Sequence, residues 1–251
     1  MIETRNKADA VPGAPRRTRP RVQNEIVAAL ARSIATGAHP PGTRLPREQD
    51  LCARFGVSRT VIRETLKVLE SKGLLRGKPR VGTFVRAKAE WNLLDPDILT
   101  WLGADFLDEA LLRSVLEARQ AIEPMAAELA ASRATLQEIA DMDGAWRQMA
   151  GAADTGAFTA ADLRFHALLL GASHNPVFAR FSGLVHAALE KAFDASNRAV
   201  PDHAETLRLH RDLVEALRLR DAAGARMAVE AILARAEHDL ARVLDAAAAR
   251  G

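Results

Sequence analysis

The chain has 251 residues, of which 48% are hydrophobic and 27% are charged, enough apolar material for one large domain or two ordinary ones. It contains no run of about 18 apolar residues that could span a membrane, and its basic N-terminus has no apolar signal-peptide core, so we expect a cytoplasmic protein with no membrane partner. Cys52 is the only cysteine, which excludes an internal disulfide and a thiolate metal cluster.

Charge is distributed unequally along the sequence. Residues 1–90 contain 19 Lys and Arg against 8 Asp and Glu, a net charge of +11, whereas residues 91–251 contain 16 against 24, a net charge of −8. A basic portion joined to an acidic one is typical of a nucleic-acid-binding domain attached to a domain with another task. An ordinary solvated basic surface would give the same count, so the predicted elements must decide between the two.

The N-terminal third predicts three short helices and a hairpin. Residues 1–20 lack apolar periodicity and predict a mobile basic arm. Within residues 21–87 we expect one helix before Gly37, a second at REQDLCARFG, and a third at SRTVIRETLKVLESKG, capped by Ser58 and closed by Gly73. The segment LLRGKPRVGTFV then predicts strand, tight turn and strand. This order is that of a winged helix-turn-helix domain.

The rest of the chain predicts helices only. Residues 88–108 indicate a linker, in which Pro96 prevents a long helix and Trp91, Leu93 and Leu94 are available to dock it. From 109 to 247, apolar residues recur at spacings of three and four through six segments joined by short connections. The predicted fold is therefore mainly α, a winged helix-turn-helix domain followed by an all-α bundle of six or seven helices.

The third helix carries the candidate DNA-binding surface. Ile62, Leu66 and Leu69 share the face that would pack on the other helices. The opposite, exposed face carries Ser58, Arg59, Thr60, Arg63 and Lys67. In the major groove an arginine can donate two hydrogen bonds to guanine, and hydroxyl side chains can reach phosphates.

The predicted hairpin adds a second DNA-binding element. It carries Lys78, Arg80 and Gly82. An arginine at this place can enter the minor groove, and a glycine allows the backbone to approach the sugar-phosphate chain closely.

The stretch GTRLPREQDLCARFGVSRTVIRETLKVLESKGLLRGKPRVGTFV resembles the DNA-binding domain of GntR-family transcriptional regulators. The family pattern runs G-x-x-L-P-S-E-R-x-L, then G-V-S-R-x-x-V-R-E-A-L, then G-x-G-x-F-V. The resemblance implies base and phosphate contacts by Arg59 and Arg63, DNA-backbone contacts by Ser58 and Thr60, and a wing-tip role for Gly82. It also implies a homodimer on a pseudo-palindromic double-stranded DNA operator.

One departure from the family pattern falls beside this surface. Arg47-Glu48-Gln49 stands where the family has Ser-Glu-Arg, so the arginine has moved two places earlier in the chain. We therefore include Arg47 and Gln49 among the candidate DNA-binding residues and expect a different operator preference.

Polar side chains also stand at core-facing positions in two helices of the bundle. Asp162 and His166, in ADLRFH, are four residues apart on one helix face and could bind one cation or one ligand. A hydrogen-bonded surface pair is the alternative. Thr206 and His210, in ETLRLH, share a face beside core leucines, where a buried histidine needs a hydrogen-bond partner.

These helices, together with LLRSVLEARQAIEPMAAELAASRAT, resemble the FCD ligand-binding domain of the FadR subfamily. In that family one Asp and three His hold a metal, and a small carboxylate effector binds at or beside it. Asp162, His166 and His210 match three of those positions, but the fourth falls on Ile232, which cannot coordinate a metal. Either the three side chains hold one divalent metal (zinc, nickel or manganese) with open positions, or they contact the effector directly without a metal.

The same resemblance directs Arg119 into the effector cavity. Its guanidinium would pair with an effector carboxylate, and a salt bridge to Glu123 one turn further on is the alternative. The linker WNLLDPDILTWL is similar to the galactonate-operon repressor branch of the subfamily. That branch favours a sugar acid such as an aldonate, whose hydroxyl groups would suit Asn197, Thr206 and the histidines.

The function expected from the sequence is that of a transcriptional regulator that is not an enzyme and that a small carboxylate controls. The resemblance favours a repressor released by its ligand. The alternative is a metal-dependent enzyme in which the bundle carries out the chemistry and the basic domain tethers it to nucleic acid. The sequence shows no general base near a nucleophile and no glycine-rich phosphate loop to support that alternative.

Overall fold

The structure, a computed structural model, describes residues 19–102, 108–196 and 203–248. The described residues form helices, one antiparallel hairpin and a short 3-10 turn at Lys88–Glu90, so the mainly α fold class is confirmed. The helices are α1 (Arg19–Ala35), α2 (Glu48–Phe55), α3 (Arg59–Ser71), α4 (Pro96–Leu102), α5 (Glu109–Arg133), α6 (Leu136–Ala150), α7 (Thr155–Ala172), α8 (Pro176–Ser196), α9 (Ala204–Arg218) and α10 (Ala222–Ala248). The strands are β1 (Leu75–Lys78) and β2 (Gly82–Val85). The predicted basic arm lies almost wholly outside the described residues.

Helix α3 packs through the face that its sequence predicts. Ile62 and Leu69 are fully buried and Leu66 nearly so, because their spacing of four and seven places them on one side of the helix. Gly73 follows the helix in a left-handed conformation, with φ of 84°, as expected for a glycine that ends a helix. Ser58 does occupy the N-cap position, but its side chain makes no capping hydrogen bond, so the predicted serine cap is wrong in that respect.

Strands β1 and β2 form the wing. Leu75 pairs with Val85 and Lys78 pairs with Gly82, which leaves residues 79–81 as the turn. Gly77 lies within β1 opposite Thr83, so the turn begins two residues later than the glycine alone suggests. Arg80 takes the left-handed conformation at the tip, with φ of 63°.

The predicted linker is a folded part of the molecule. Trp91 is buried, and its indole N–H donates to the carbonyl oxygen of Arg86 at 3.1 Å. Pro96 is the first residue of α4, where the missing N–H of proline costs no helical hydrogen bond. Leu94 is 44% exposed, so the expectation that it docks the linker is wrong.

A salt-bridge cluster fastens this linker to α3. The ammonium group of Lys72, just after the last turn of α3, lies 2.8 Å from a carboxylate oxygen of Asp95 and 2.7 Å from one of Asp97. These two carboxylates stand at the N-terminal end of α4, where negative charge also suits the helix dipole. The start of the linker helix is thereby tied to the end of α3.

Helices α5 to α10 form the predicted bundle. Its main apolar cluster combines alanines from α5 with larger residues such as Phe165, Leu213 and Val229. Side chains of Asp108, Thr135 and Asp154 accept hydrogen bonds from backbone N–H groups and begin α5, α6 and α7. No described helix has both the length and the hydropathy needed to cross a membrane.

One apolar cluster continues from the N-terminal domain into the bundle. It contains Leu69 of α3, Leu99 of α4, Val115 of α5 and Leu184 of α8. A hydrophobic core that spans all four helices resists their separate movement. Helix α4 therefore connects the winged helix-turn-helix domain mechanically to the walls of the bundle.

Candidate effector site and DNA-binding surface

Three of the predicted polar residues come together inside the bundle. Helix α7 supplies Asp162 and His166 and α9 supplies His210, with one ligand atom from each lying within 4.8 Å of the others. Their relative exposures are 1%, 2% and 1%. Such burial excludes the alternative of a surface pair and makes unpaired polar atoms costly.

Each histidine has a partner that fixes which ring nitrogen carries the proton. The Nδ1 of His210 lies 2.7 Å from the carbonyl oxygen of Thr206, and because a carbonyl only accepts, Nδ1–H must donate. The Nδ1 of His166 lies 2.9 Å from Oε2 of Glu123, and a carboxylate likewise only accepts. Both rings in their neutral form therefore turn an unprotonated Nε2 toward Asp162.

The contacts of Asp162 with these rings are not aligned hydrogen bonds. Its Oδ1 lies 3.0 Å from Nε2 of His210 and 3.8 Å from Nε2 of His166. Asp162 Oδ1 and His210 Nε2 are therefore both buried without a hydrogen-bond partner among the described residues. Two lone pairs this close repel each other unless a proton or a cation lies between them.

Asp162 is ionised in this environment. Burial by itself would raise the pKa of the Asp162 carboxyl, but His166 and His210 in their protonated form, together with the guanidinium of Arg119, outweigh burial and lower that pKa. A carboxylate and two imidazole nitrogens are a usual ligand set for a divalent transition metal. The donor set, its burial and its two orphaned atoms thus fit one metal ion.

Arg119 lies on α5 at the edge of this cluster. Its Nε lies 2.6 Å from Oε1 of Glu123 and its Nη2 lies 3.3 Å from Oε2, so the predicted alternative of a salt bridge is present. The same Nη2 lies 3.1 Å from Nε2 of His166. Both members of the pair are buried, and Arg119 is therefore shared between Glu123 and the histidine cluster.

The pair on α5 also faces a small cavity. The volume within which the centre of a water molecule can lie is about 10 Å³. The cavity therefore holds roughly one water molecule. Apart from Arg119 and Glu123 its lining is apolar and includes Val115, Phe181 and Leu184. Any ligand larger than a water molecule would need these walls to move apart.

The remaining predicted site residues are placed as follows. Thr206 is half-buried one turn before His210 and contributes its carbonyl oxygen. Ile232 is 5% exposed and belongs to the same apolar cluster as Phe165, whose ring centroid lies 4.9 Å from that of His210. His238 is exposed on α10. Asn197 lies outside the described residues.

The predicted DNA-binding face of α3 is exposed. Arg59, Thr60, Arg63 and Lys67 all lie on the solvent side of the helix. The Nε of Arg63 lies 2.9 Å from a carboxylate oxygen of Glu48, the first residue of α2 and the middle residue of the altered Arg47-Glu48-Gln49 segment. This contact holds the guanidinium beside α2 when DNA is absent. Arg47 and Gln49 are also exposed there.

The sequence interpretation missed one basic residue at the wing. Arg44 forms an isolated backbone bridge with Phe84 of β2, and its guanidinium packs on Gly82, where a Cβ atom would lie 2.5 Å from Nε of Arg44. Gly82 also has φ of 132°, a backbone conformation that only glycine adopts readily. Arg44 therefore joins Lys78 and Arg80 in one basic surface, although it lies more than thirty residues before them.

Comparison with known proteins identifies the two domains. Residues 22–85 match the model of the bacterial regulatory proteins of the gntR family, and residues 114–235 match the FCD domain. The chain belongs to the GntR family. This GntR regulator is thus a DNA-binding transcriptional regulator with a small-molecule-binding C-terminal domain, and it is not an enzyme, so the enzyme alternative is wrong.

Two curated relatives cover most of the GntR regulator described above. It is 35% identical over 216 residues to the galactonate operon transcriptional repressor of Escherichia coli K12. The aligned region covers 84% of this chain and 93% of the relative. It is 30% identical over 221 residues to the putative L-lactate dehydrogenase operon regulatory protein of the same organism, over 85% of this chain and 84% of the relative.

A solved structure shares the fold. The structure of Lar, described as controlling the agr system of Listeria monocytogenes, matches with a TM-score of 0.62 and 18% identity over 87% of this chain and 96% of that chain. At this identity the likeness concerns the arrangement of helices and not the ligand. The FadR-type organisation, a winged helix-turn-helix domain followed by an FCD bundle, is thereby confirmed.

Proposed function

We propose that this regulator represses an operon for the use of a hydroxy acid, such as an aldonate, and that the acid releases it from the operator. The buried cluster of Asp162, His166, His210 and Arg119 carries the proposal, because it gathers metal-ligand atoms and a guanidinium at one place. The names of the relatives support it, since galactonate and L-lactate, whose operons they name, are both hydroxycarboxylates.

In this proposal Asp162, His166 and His210 hold one divalent metal. When bound, the metal supplies positive charge and open coordination positions that a carboxylate and a neighbouring hydroxyl group can fill. With Ile232 at the fourth family position, three protein ligands remain, as in open rather than closed metal sites. Zinc, nickel and manganese all suit such a mixed set of imidazole and carboxylate ligands.

The net charge of the cluster suggests that the acid binds only when the metal is bound. With neutral histidines, one positive charge on Arg119 faces two negative charges on Glu123 and Asp162, a net charge of −1. A buried site of that charge repels a carboxylate. A divalent cation changes the net charge to +1, so the bound acid then makes the site neutral. Binding of the acid should therefore require the metal.

Arg119 completes the recognition of the acid. A guanidinium has five N–H donors in a planar fork. Glu123 engages Nε and Nη2, so Nη1 can donate to an effector carboxylate while the internal pair persists. His166 would hold the metal in place of its contact with Nη2 of Arg119, which would leave that donor available to the acid.

The size of the cavity indicates how binding reaches the DNA-binding domain. Val115 and Leu184 line the cavity and also belong to the apolar cluster that contains Leu99 of α4. An acid that separates α5 from α8 must therefore disturb the packing of α4. Lys72 then links α4 to α3 through Asp95 and Asp97.

On the DNA side we propose that two copies of the chain bind a pseudo-palindromic operator. Arg59 and Arg63 would enter the major groove, while Arg44, Lys78 and Arg80 would contact the minor groove and phosphates. If the distance or angle between the two α3 helices of the dimer changes, they can no longer enter the major grooves of both half-sites at the same time. Release by a small ligand then needs a rearrangement within the bundle but no change within the fold of the winged helix-turn-helix domain.

The test combines operator release with ligand-induced stabilisation. Metal-loaded protein on its operator would be titrated with aldonates, lactate and galactose, the last as a matched sugar without a carboxylate. The true effector should release DNA and, at a hundredfold excess over Kd, stabilise the protein by about 2.7 kcal/mol. Equal responses to galactose and galactonate, or release in the presence of a chelator, would contradict the proposal.

A further inference from the structure

Glu123 is neither one of the three candidate metal ligands nor one of the predicted effector contacts. It is fully buried on α5, and its carboxylate contacts two groups at once, Arg119 through Oε1 at 2.6 Å and His166 Nδ1 through Oε2 at 2.9 Å. The short ion pair with the Arg119 guanidinium favours the charged form of the Glu123 carboxyl. Glu123 can therefore only accept a hydrogen bond from Nδ1–H of His166.

We infer that Glu123 is a positioning residue that holds the His166 ring, with Nδ1 protonated, so that Nε2 faces Asp162 and His210. The inference rests on the proposed metal site and adds a residue to it that lies outside the ligand set. Carboxylates that accept from the second nitrogen of a metal-bound histidine fix its tautomer and orientation and raise its basicity. His210 has the equivalent partner in the carbonyl oxygen of Thr206.

The arrangement places this support on a different helix from the histidine. His166 and Asp162 lie on α7, whereas Glu123 lies on α5. Arg119 is required as well, because an unpaired carboxylate at this depth would cost several kcal/mol. Arg119 thus neutralises Glu123, and Glu123 in turn holds the ring of His166 in its orientation.

The obvious variant, Glu123→Gln alone, leaves the Arg119 charge buried without a partner and risks unfolding. A double substitution avoids this. Arg119→Met with Glu123→Gln removes both charges and keeps an oxygen that can accept from Nδ1–H. Arg119→Met with Glu123→Met removes both charges and the acceptor at similar volume. The wild type is the reference, and exposed Glu117 of α5, changed to Met, is the matched control.

Two measurements on the full chain test the inference. Zinc, nickel and manganese titrations by calorimetry should show affinity about 10–100-fold lower for the Met–Met variant than for the Met–Gln variant. Nitrogen-15 NMR of the metal-free proteins should show the Nδ1–H form of His166 in the wild type and the Met–Gln variant, and a mixture in the Met–Met variant.

The outcomes separate this inference from the proposed function. Equal metal affinity and equal tautomer populations in the two double variants would overturn the positioning role while leaving the metal site in place. If the wild type binds none of zinc, nickel and manganese, the proposed metal site is wrong and the positioning role falls with it. Circular dichroism melting of each variant identifies any variant that is unfolded. A Met–Met variant that unfolds only without metal would still support the inference.

Discussion

His210 directs Nε2 at Oδ1 of Asp162 from 3.0 Å, yet neither atom has a hydrogen-bond partner among the described residues. Because Nδ1 of His210 already donates to Thr206, the neutral ring has only a lone pair to offer there. Bringing two acceptors together inside a protein is unfavourable unless a positive species joins them. This relationship motivates the first prediction.

Replacing His210 by Ala should remove metal binding and the response to the effector, because it deletes one of three ligands. Operator binding should persist, since His210 lies in the bundle and not on the DNA-binding face. Metal content by mass spectrometry and operator affinity by anisotropy check both statements. The control is His238→Ala, which changes an exposed histidine of α10 and should alter neither. Unchanged metal content and effector response in His210→Ala would refute the site.

Replacing Ile232 by His should increase metal affinity, because the family's fourth ligand position would be filled. Ile232 shares its apolar cluster with Phe165, which contacts the His210 ring, so the new imidazole starts close to the site. A tenfold gain corresponds to about 1.4 kcal/mol and is measurable by calorimetry. Ile232→Asn, equally polar but a poor ligand, is the control. Equal affinity in these two variants would show that position 232 does not reach the metal.

Replacing Arg59 or Arg63 by Ala should abolish specific operator binding without unfolding the protein. Each lost bidentate base contact costs about 1–3 kcal/mol per half-site. Arg63 first has to leave Glu48, its partner at 2.9 Å in the free protein. Gel-shift titration and thermal melting provide the measurements, with Arg113→Ala on α5 as the control. Wild-type affinity in both variants would contradict the assignment of α3 to the major groove.

Replacing Gly82 by Ala should destabilise the wing and weaken operator binding. The backbone there has φ of 132°, and the added Cβ would lie 2.5 Å from Arg44, so we expect a loss of more than about 1 kcal/mol. The matched control is Gly144→Ala in α6, where a Cβ meets nothing within 4 Å. That variant should gain about 0.4–1 kcal/mol. Urea unfolding of the two proteins gives opposite signs if the wing is described correctly.

The Lys72 cluster should make stability depend on pH. Burial alone raises the pKa of Asp95, but its bonds to Lys72 and to the Asp97 N–H prevail and lower it. A carboxyl with a lower pKa in the folded state stabilises the protein above its unfolded pKa of about 3.9 and loses this effect as pH falls through the folded value. Asp95→Asn should therefore be less stable than wild type at pH 7, and the difference should shrink toward pH 3. Asp97→Asn, at a 56% exposed side chain, should show a smaller difference in the same urea titrations.

The sequence by itself determined the fold class and most of the polar cluster. Periodic apolar residues fixed the buried face of α3, because residues four and seven apart must share one side of a helix. The same rule placed Asp162 beside His166. The resemblance to the FCD domain added His210 and Arg119, which no local pattern connects to α7. The domain limits and the roles of the individual site residues stay predictions.

Only the tertiary structure decided which groups these residues meet. Glu123 contacts His166 because α5 and α7 pack side by side, and nothing in the spacing of 43 residues between them indicates that contact. Arg44 reaches the wing through a bridge to Phe84, which depends on how the chain folds back after α1. Local periodicity specifies the direction of a side chain on its own helix, whereas its partners depend on the crossing of helices that are distant in sequence.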